Sequence, residues 1–561
     1  MNALLEAREP SARYLEAVEP ALVRQFDLVA GVPGGVAQLR ELILSLAVRG
    51  KLVPQDPSDD PTRLDVVAEQ VFRLIQEGKV PRSRASELLE NRSNETELPV
   101  GWAAVRGSDV FIPRSGNSKL IKGKLFPEPG EGLYAGYSAS GQDVWLSSFE
   151  YDGTAVILSA VGARCGKAFL ARDKWSAIAN THIVWPIEAT VSAEYAMLLL
   201  NDENFWIRSG GAQPFLKVTE TLQRTVLIPP FEEQARIVAR VDELMRLCDA
   251  LEAEGRLEAQ QHARLLGVLL GTLTDSSTPE ELAANWQRVA AHFDLLLDRP
   301  EAVDALEQTI LQSAVRGLLV RQDPGDEPAS VLLQKIRTER DRLISEGKIK
   351  RDKPLSPIAD EDAPFDLPQG WEWVRMQGAF DVRDGTHDTP KYVERDGVPL
   401  ITSRNFEAGR ICFEDAKLIS QADHELIMRR SRVERYDILY SMIGGNIGNQ
   451  VLVDTDREFS IKNVALFKYV SRSYTLPLYL NLFLETVTLS TQSQAVGGAQ
   501  PFVSLSLLRN IPFPLPPVAE QARIVTRVTD LRRLCADLRQ RLTASQTTQS
   551  YLAEALVDEV A

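Results

Sequence analysis

The chain of 561 residues contains itself twice, and few architectures accommodate that. Residues 26–57 align without a gap on 293–324, at an offset of 267 and with 17 of 32 positions identical. The centre of that match reads Ala47-Val48-Arg49-Gly50 against Ala314-Val315-Arg316-Gly317. Residues 228–251 align on 515–538 at an offset of 287, with 15 of 24 identical. The offset grows between the two blocks, where the copies share little. A repeated frame around two divergent inserts predicts one scaffold presenting two different reading heads. That is a design for recognition before it is one for catalysis.

The frame reads as helical. After Pro33, apolar Val36, Leu39, Ile43, Leu46 and Ala47 recur at three- and four-residue steps. Gly50 suits the end of that helix, and Pro54 and Pro57 then break the chain. Second helices are expected over 62–77 and 329–346, ending at Gly78 and Gly347. Matching opening phrases follow, Leu98-Pro99-Val100-Gly101-Trp102 and Leu367-Pro368-Gln369-Gly370-Trp371. Each insert then reads as a compact α/β domain. Strands over 155–159 and 437–441 lead into glycine loops, Gly162 to Gly166 and Gly444 to Gly448, and later strands end near Trp185 and Phe467. Helices are expected over 193–207 and 476–489. Both inserts close on Gly-Gly-Ala-Gln-Pro-Phe, at 210–215 and 497–502, a phrase expected to fix packing or to reach a ligand through its glutamine.

Pro229-Pro230 and Pro516-Pro517 stand where a helix start tolerates proline. From there Ile237, Val241, Leu244, Cys248 and Leu251, and their twins Ile524, Val528, Leu531, Cys535, Leu538 and Leu542, keep heptad spacing. Such a seam packs along another long helix at a shallow angle. Forty helical residues span ~60 Å, enough to hold two heads one or more DNA turns of ~35 Å apart. The expected fold is therefore α/β: two α/β recognition domains separated by long antiparallel, coiled-coil-like helices with an internal pseudo-twofold. Its parts are a helical scaffold (1–97), a first head (98–228), a central helical spacer (229–366), a second head (367–513) and a C-terminal scaffold helix (514–561). Closing the pseudo-symmetry predicts that the helix over 36–46 lies beside 519–542.

Formal charge is −15, which argues against a polyanionic partner until its distribution is examined. Residues 98–228 carry 12 basic against 12 acidic groups, and 367–513 carry 16 against 17. Nearly all the excess therefore lies in the scaffold. A neutral head can present a basic face, but the chain alone should bind DNA weakly. No apolar run of ~18 residues predicts a membrane span, and the acidic N-terminus does not resemble a secretory leader. Cys165, Cys248, Cys412 and Cys535 form no CxxC pair, and the five histidines are dispersed. A cytoplasmic, reduced, metal-free protein follows, with Cys248 and Cys535 as small core residues.

Three catalytic readings fail on chemistry. Gly162-Ala163-Arg164-Cys165-Gly166-Lys167-Ala168 has one residue too few between its glycines for a phosphate loop, and no hydroxyl follows the lysine to hold magnesium. Pro229-Pro230-Phe231 resembles the end of an amino-methyltransferase motif. Its polar first residue is replaced by Ile228, and by Leu515 in the twin, leaving nothing to accept the target amine. Asp454, Asp456, Glu458 and Lys462 fit a turn into a strand better than a metal-dependent nuclease.

Groups suited to phosphates and base edges are present instead. The second head offers Arg383, Thr386, His387, Lys391 and Tyr392 on one loop, Arg404 and Asn405 on another, and the run Arg429, Arg430, Arg432 and Arg435. That run is either a DNA face or a solvated helix face. The first head offers Arg114, Ser115, Asn117, Lys119, Lys122 and Lys124, a stretch that is either DNA-facing or a surface loop. Tyr134, Tyr137, Arg164, Lys167, Gln213 and Lys217 follow, each of which could simply support the fold. On the long helices, Gln234, Arg236 and Arg240 match Gln521, Arg523 and Arg527. Sameness there suggests an exposed face for identical partners, whereas divergent heads read different sequences.

Taken together, the Leu-Pro-x-Gly-Trp phrases, the divergent inserts and Pro-Pro-x-x-Glu-Gln-x-x-Ile at Pro229, Pro230, Glu233, Gln234, Ile237 and again at Pro516, Pro517, Glu520, Gln521, Ile524 resemble the specificity subunits of type I restriction-modification systems. The second head adds Asp384-Gly385-Thr386-His387-Asp388-Thr389-Pro390, a phrase similar to one in their target-recognition domains. The resemblance spans nearly the whole chain, apart from an extra stretch over 1–25 and a long central spacer. It implies that each head reads half of a bipartite double-stranded DNA site and that the helices set the gap. It also implies two methyltransferase subunits docked on the scaffold, joined by a restriction subunit. S-adenosylmethionine, ATP and magnesium are then expected on those partners, with no cofactor bound directly and no membrane involved. A coiled-coil adaptor binding proteins through both heads is the alternative; selective DNA retention separates the two.

Overall fold

A computed structural model describes residues 29–76, 98–121, 125–162, 164–187, 190–211, 213–351, 355–359, 363–496 and 501–560. The stretch over 1–25 lies outside them. The chain divides into two compact units, Met1–Glu258 with Gln546–Ala561, and Ala259–Ser545. Among the described residues no helix is long and apolar enough to cross a membrane.

In the first unit the opening phrase leads into a strand, Ala103–Arg106, that pairs antiparallel with Thr225–Ile228, so the head begins and ends on one ribbon. Beyond it lies an antiparallel four-stranded sheet in the order Phe111–Ser115, Thr181–Pro186, Ala155–Ser159, Ala168–Ala171. The second unit repeats this plan. Its ribbon is Glu372–Arg375 with Pro512–Leu515, and its sheet runs Phe380–Asp384, Val464–Tyr469, Ile438–Ser441, Gln450–Leu452. Each head adds a second four-stranded sheet containing one parallel pair. Two inserts with little common sequence therefore share the ribbon and the order of this first sheet, while their second sheets differ in strand order. The central strands Ala155–Ser159 and Ile438–Ser441 are wholly buried, as their apolar runs require. The head helices are Ala193–Leu200 and Pro477–Ser493.

The frame helices are Gly35–Val48 and Leu64–Gln76 in the first copy, and Pro300–Val315 and Ala329–Ser345 in the second. The long helices are Phe231–Thr274 and Val518–Val560. Their heptad seams are buried as expected. Ile237, Val241, Leu244 and Cys248 share a core with Leu39, Ile43 and Leu46. Ile524, Val528 and Cys535 share one with Val303, Leu306 and Ile310. Each seam thus meets the frame helix of its own copy. From the last helix, the residues that join the first core are Ala553 and Val557.

Charge reinforces that choice. Arg40 pairs with Asp249 and Glu252 at 2.6 and 2.8 Å, and Arg539 pairs with Asp304 and Glu307 at 2.6 and 3.0 Å. By the two offsets, Glu307 is the twin of Arg40 and Arg539 the twin of Glu252, so the same clasp is built with its signs reversed. Exchanging the frame helices between copies would set arginine against arginine and glutamate against glutamate. The four groups are a fifth to a half exposed, so each clasp stabilises by about 1 kcal/mol at most. Its larger effect is on which pairing forms.

The shared motifs are internal latches. Trp102 Nε1 donates to Glu233 Oε2 at 3.0 Å, and Trp371 Nε1 donates to Glu520 Oε2 at 2.9 Å. Gln234 accepts from Ser192 N at 2.8 Å and donates to Thr190 O and Pro229 O at 2.8 and 3.1 Å. Gln521 accepts from Leu476 N at 2.9 Å and donates to Pro516 O at 3.0 Å. Each Glu-Gln pair thus ties its long helix to the opening phrase and to the head. Both glutamates are buried, which pushes their carboxyls up. The latches differ in one bond. Gln322 Nε2 donates to Glu520 Oε1 at 3.1 Å, whereas its twin Gln55 accepts from Val100 N and Glu233 Oε1 has no partner.

A buried carboxylate underlies the second head's central strand. Asp437 accepts from Lys468 Nζ at 2.6 Å and Glu434 N at 2.8 Å, yet burial outweighs both and its carboxyl is pushed up to about 6. The folded chain therefore holds this proton more tightly than the unfolded one. The group favours folding below pH ~4, and that contribution is lost as pH rises through about 6. Unfolding free energy should fall by roughly 2–3 kcal/mol across that window, and Asp437→Asn should flatten the profile in denaturant titrations.

Candidate nucleic-acid interface

The second head's candidate loop grows out of its edge strand. Strand Phe380–Asp384 ends on Asp384, and Gly385 N donates to Val464 O at 3.0 Å. A Cβ on Gly385 would lie 2.4 Å from Ile461 O, so only glycine lets the loop turn there. Thr386 N donates to Ile461 O at 3.0 Å, which leaves His387 exposed. The buried Asp384 carboxylate bonds His387 Nε2 at 2.7 Å and pairs with Arg430 from the last turn of helix Gln421–Ser431. Asn463 Oδ1 lies 3.2 Å from His387 Nδ1, so the imidazole is held on both edges. Asp384 and Asn463 were absent from the residues singled out in the sequence. The Asp-Gly-Thr-His phrase carried the signal for Asp384, whereas Asn463 comes in from the bend before strand Val464–Tyr469, far along the chain.

Arg383, Arg429 and Arg430 meet in a cleft of about 1090 Å³. It also takes in Lys348, Lys350 and Arg351, just beyond the frame helix Ala329–Ser345, and Arg509. Seven basic side chains face only Asp381 and Asp384 there. Two arginines are held in place: Arg383 pairs with Asp381, and Arg509 donates to Val382 O at 2.7 and 2.9 Å. Lys350, Arg351 and Arg429 are exposed. Four arginines of a neutral head and three cations of the connector before it thus meet on one wall, which charge totals could not reveal.

The remaining second-head residues do not form one patch. Lys391 is exposed, and Tyr392 carries Lys417 4.4 Å above its ring. Arg404 is exposed, but Asn405 is buried, its amide oxygen accepting from Thr402 N at 3.0 Å. Asn405 therefore shapes its turn, which corrects its expected role as a base reader. The arginine run splits where its helix ends: Arg432 is exposed past the last turn, and Arg435 pairs with Asp456 at 3.2 Å.

In the first head, Arg114 and Ser115 end the equivalent edge strand. Together with His182, Phe215 and Lys217 they line a cavity of about 460 Å³. Asn117 pairs with Glu150, Lys119 is exposed, and Lys122 and Lys124 lie outside the described residues. Tyr134 rests edge-on against Phe149 at 4.9 Å. Tyr137 is corrected to a core residue, because it is 8% exposed and its hydroxyl donates to Leu170 O. Lys217 pairs with Glu220, and Arg164, Lys167 and Gln213 are exposed. The glycine loop consumes its own amides: Gly166 N donates to Ser159 O and Cys165 N to Gly162 O. No cradle of free N–H groups remains for a phosphate at those positions.

The expected partner face on the long helices is also corrected. Gln234 and Gln521 are wholly buried in the latches. Arg236 and Arg523 are paired with the equivalent acids Asp59 and Asp326, and Arg240 with Glu243. Arg527 alone of the six is exposed. Sameness between copies here reflects a shared internal joint. Among the described residues, no group of three histidines, cysteines or acids is placed to hold a metal.

The geometry defines two heads, each with polar side chains where its edge strand meets a cavity. The model for the type I restriction modification DNA specificity domain matches residues 369–545. The chain is 32% identical to the Escherichia coli type I restriction enzyme EcoAI specificity subunit and 31% identical to that of EcoEI, over 93% of each chain. It belongs to the family of type I restriction enzyme specificity subunits. A solved structure of a type I R-M system is 16% identical over 83% of this chain and 98% of that one, with a TM-score of 0.47. The HsdS subunit from Thermoanaerobacter tengcongensis is 16% identical over 83% and 97%, with a TM-score of 0.36. Overlaps that loose do not fix a shared fold.

Proposed function

We propose that this chain reads a bipartite double-stranded DNA site, one half with each head (98–228 and 367–513), for a type I restriction-modification complex. Two methyltransferase subunits and a restriction subunit assemble on it, and they carry S-adenosylmethionine, ATP and magnesium. The chain itself contributes recognition and spacing, not chemistry. One observation carries this reading: two heads built on the same ribbon and four-stranded sheet differ where their edge strands meet a cavity. Arg114, Ser115 and His182 stand at that place in one head, and Asp384, His387 and Asn463 in the other. A shared fold with different side chains at its rim is what reading two unlike half-sites requires.

The test is retention of duplexes by the complex reconstituted with its methyltransferase partner. A split sequence should be held over its scrambled versions at several salt concentrations, and indifference among them rejects the reading. The cleft then makes a separate forecast. Lys350→Ala with Arg351→Ala should reduce the slope of log affinity against log salt by about 2. It should do so equally for preferred and scrambled duplexes, because phosphate contacts carry no sequence information.

A further inference from the structure

The two heads share one exposed side chain that their fold does not require to be aromatic. Phe215 and Phe502 end the repeated Gly-Gly-Ala-Gln-Pro-Phe phrase, and each is 44% exposed. The backbone around them is tightly held. Gly162 N donates to Pro214 O at 2.9 Å and Leu216 N to Ala160 O at 3.1 Å; in the twin, Gly444 N donates to Pro501 O and Val503 N to Met442 O, both at 2.8 Å. The next residues, Leu216 and Val503, are buried and anchor the segment. Each phenylalanine is thus carried by a held backbone on the rim of its head's cavity. Phe215 stands beside Arg114, Ser115 and His182, and Phe502 beside Asp384, His387 and Asn463.

Packing explains part of the first ring, since a Cβ on Gly210 would lie 3.3 Å from Phe215 Cδ1. It does not explain why both heads keep a ring whose face is nearly half in water. The polar neighbours differ between the heads while the phenylalanine does not. Unlike Gln234 and Gln521, whose sameness is explained by burial, these rings stay exposed and so are free to meet something common to both half-sites. We propose that Phe215 and Phe502 each lay an apolar face against a base or deoxyribose of their half-site. They hold the duplex in register without choosing its sequence, while the neighbouring polar groups discriminate. An apolar face suits this task because every nucleotide of a duplex presents a deoxyribose, whose contacts fix register and carry no sequence. The inference deepens the DNA-reading proposal and rests on it.

The experiment uses the complex reconstituted with its methyltransferase partner and carrying Phe215→Ala, Phe502→Ala or both, with Phe502→Tyr as the conservative variant. Each alanine should weaken binding to preferred and scrambled duplexes alike by roughly tenfold, the scale of partly burying one phenylalanine. The ratio between preferred and scrambled duplexes should stay unchanged, and Phe502→Tyr should restore affinity. Unaltered melting temperature and assembly confirm that the alanine chains are folded. Full affinity in the double variant overturns the inference while leaving the DNA-reading proposal intact. So does a loss that tracks failed methyltransferase assembly, which would assign the rings to the protein partner. A wild-type complex without sequence preference overturns both.

Discussion

Alanine at Gly317 should destabilise the second unit by about 2–5 kcal/mol, seen as an earlier transition in thermal or denaturant unfolding. Gly317 has φ +74°, a left-handed conformation that costs an L-residue roughly 1–2 kcal/mol. A Cβ there would also lie 2.6 Å from Pro368 Cγ and 2.9 Å from Trp371 Cζ2, and overpacking of that kind costs about 1–3 kcal/mol. The damage should spread, because Trp371 is the donor that holds buried Glu520. Gly50 provides an internal control. Its φ is +72°, and its Cβ would meet Pro99 Cγ at 2.6 Å and Trp102 Cζ2 at 2.9 Å. Gly50→Ala should therefore cost a similar amount in the first unit. A variant of either kind that melts like the wild type would show that the opening phrase does not clamp the frame.

Asp384→Ala should lower affinity for the preferred duplex by one to two orders of magnitude while leaving binding to scrambled DNA equal or stronger. The two effects have opposite signs because Asp384 does two things. It orients His387 and Arg430 from a buried position, and loss of a base-reading group costs ~1–3 kcal/mol. It is also one of two negative charges facing seven positive ones, so removing it makes the cleft more attractive to any phosphate chain. Competition assays with preferred and scrambled duplexes separate the effects. A uniform loss on both would instead mean that Asp384 only supports the fold.

Much of the architecture was legible in advance. The two offsets, the heptad seams and the proline starts located the frame, because helical periodicity is a local property. The buried strand over 155–159 was legible for the same reason, being a short apolar run before a glycine turn. Candidate readers were less secure. Arg383, Arg429 and Arg430 do converge, but Tyr137 and Asn405 proved to be internal, since a polar tip does not reveal whether it meets solvent or a carbonyl. Lys348, Lys350 and Arg351 were passed over because they lie in a connector outside the head.

The repeat by itself determined that this protein is a doubled frame carrying two unlike heads, since identity at fixed offsets needs no coordinates to be seen. Only tertiary structure decided why the frame residues are repeated. Gln234 and Gln521 looked like a surface shared for a common partner, and they are buried joints whose amides bond the head's own backbone. Likewise, only folding could show that Arg40 and Glu307 hold equivalent places in two clasps of opposite sign. Burial and pairing depend on what a side chain faces across space, and distance along the chain does not encode that.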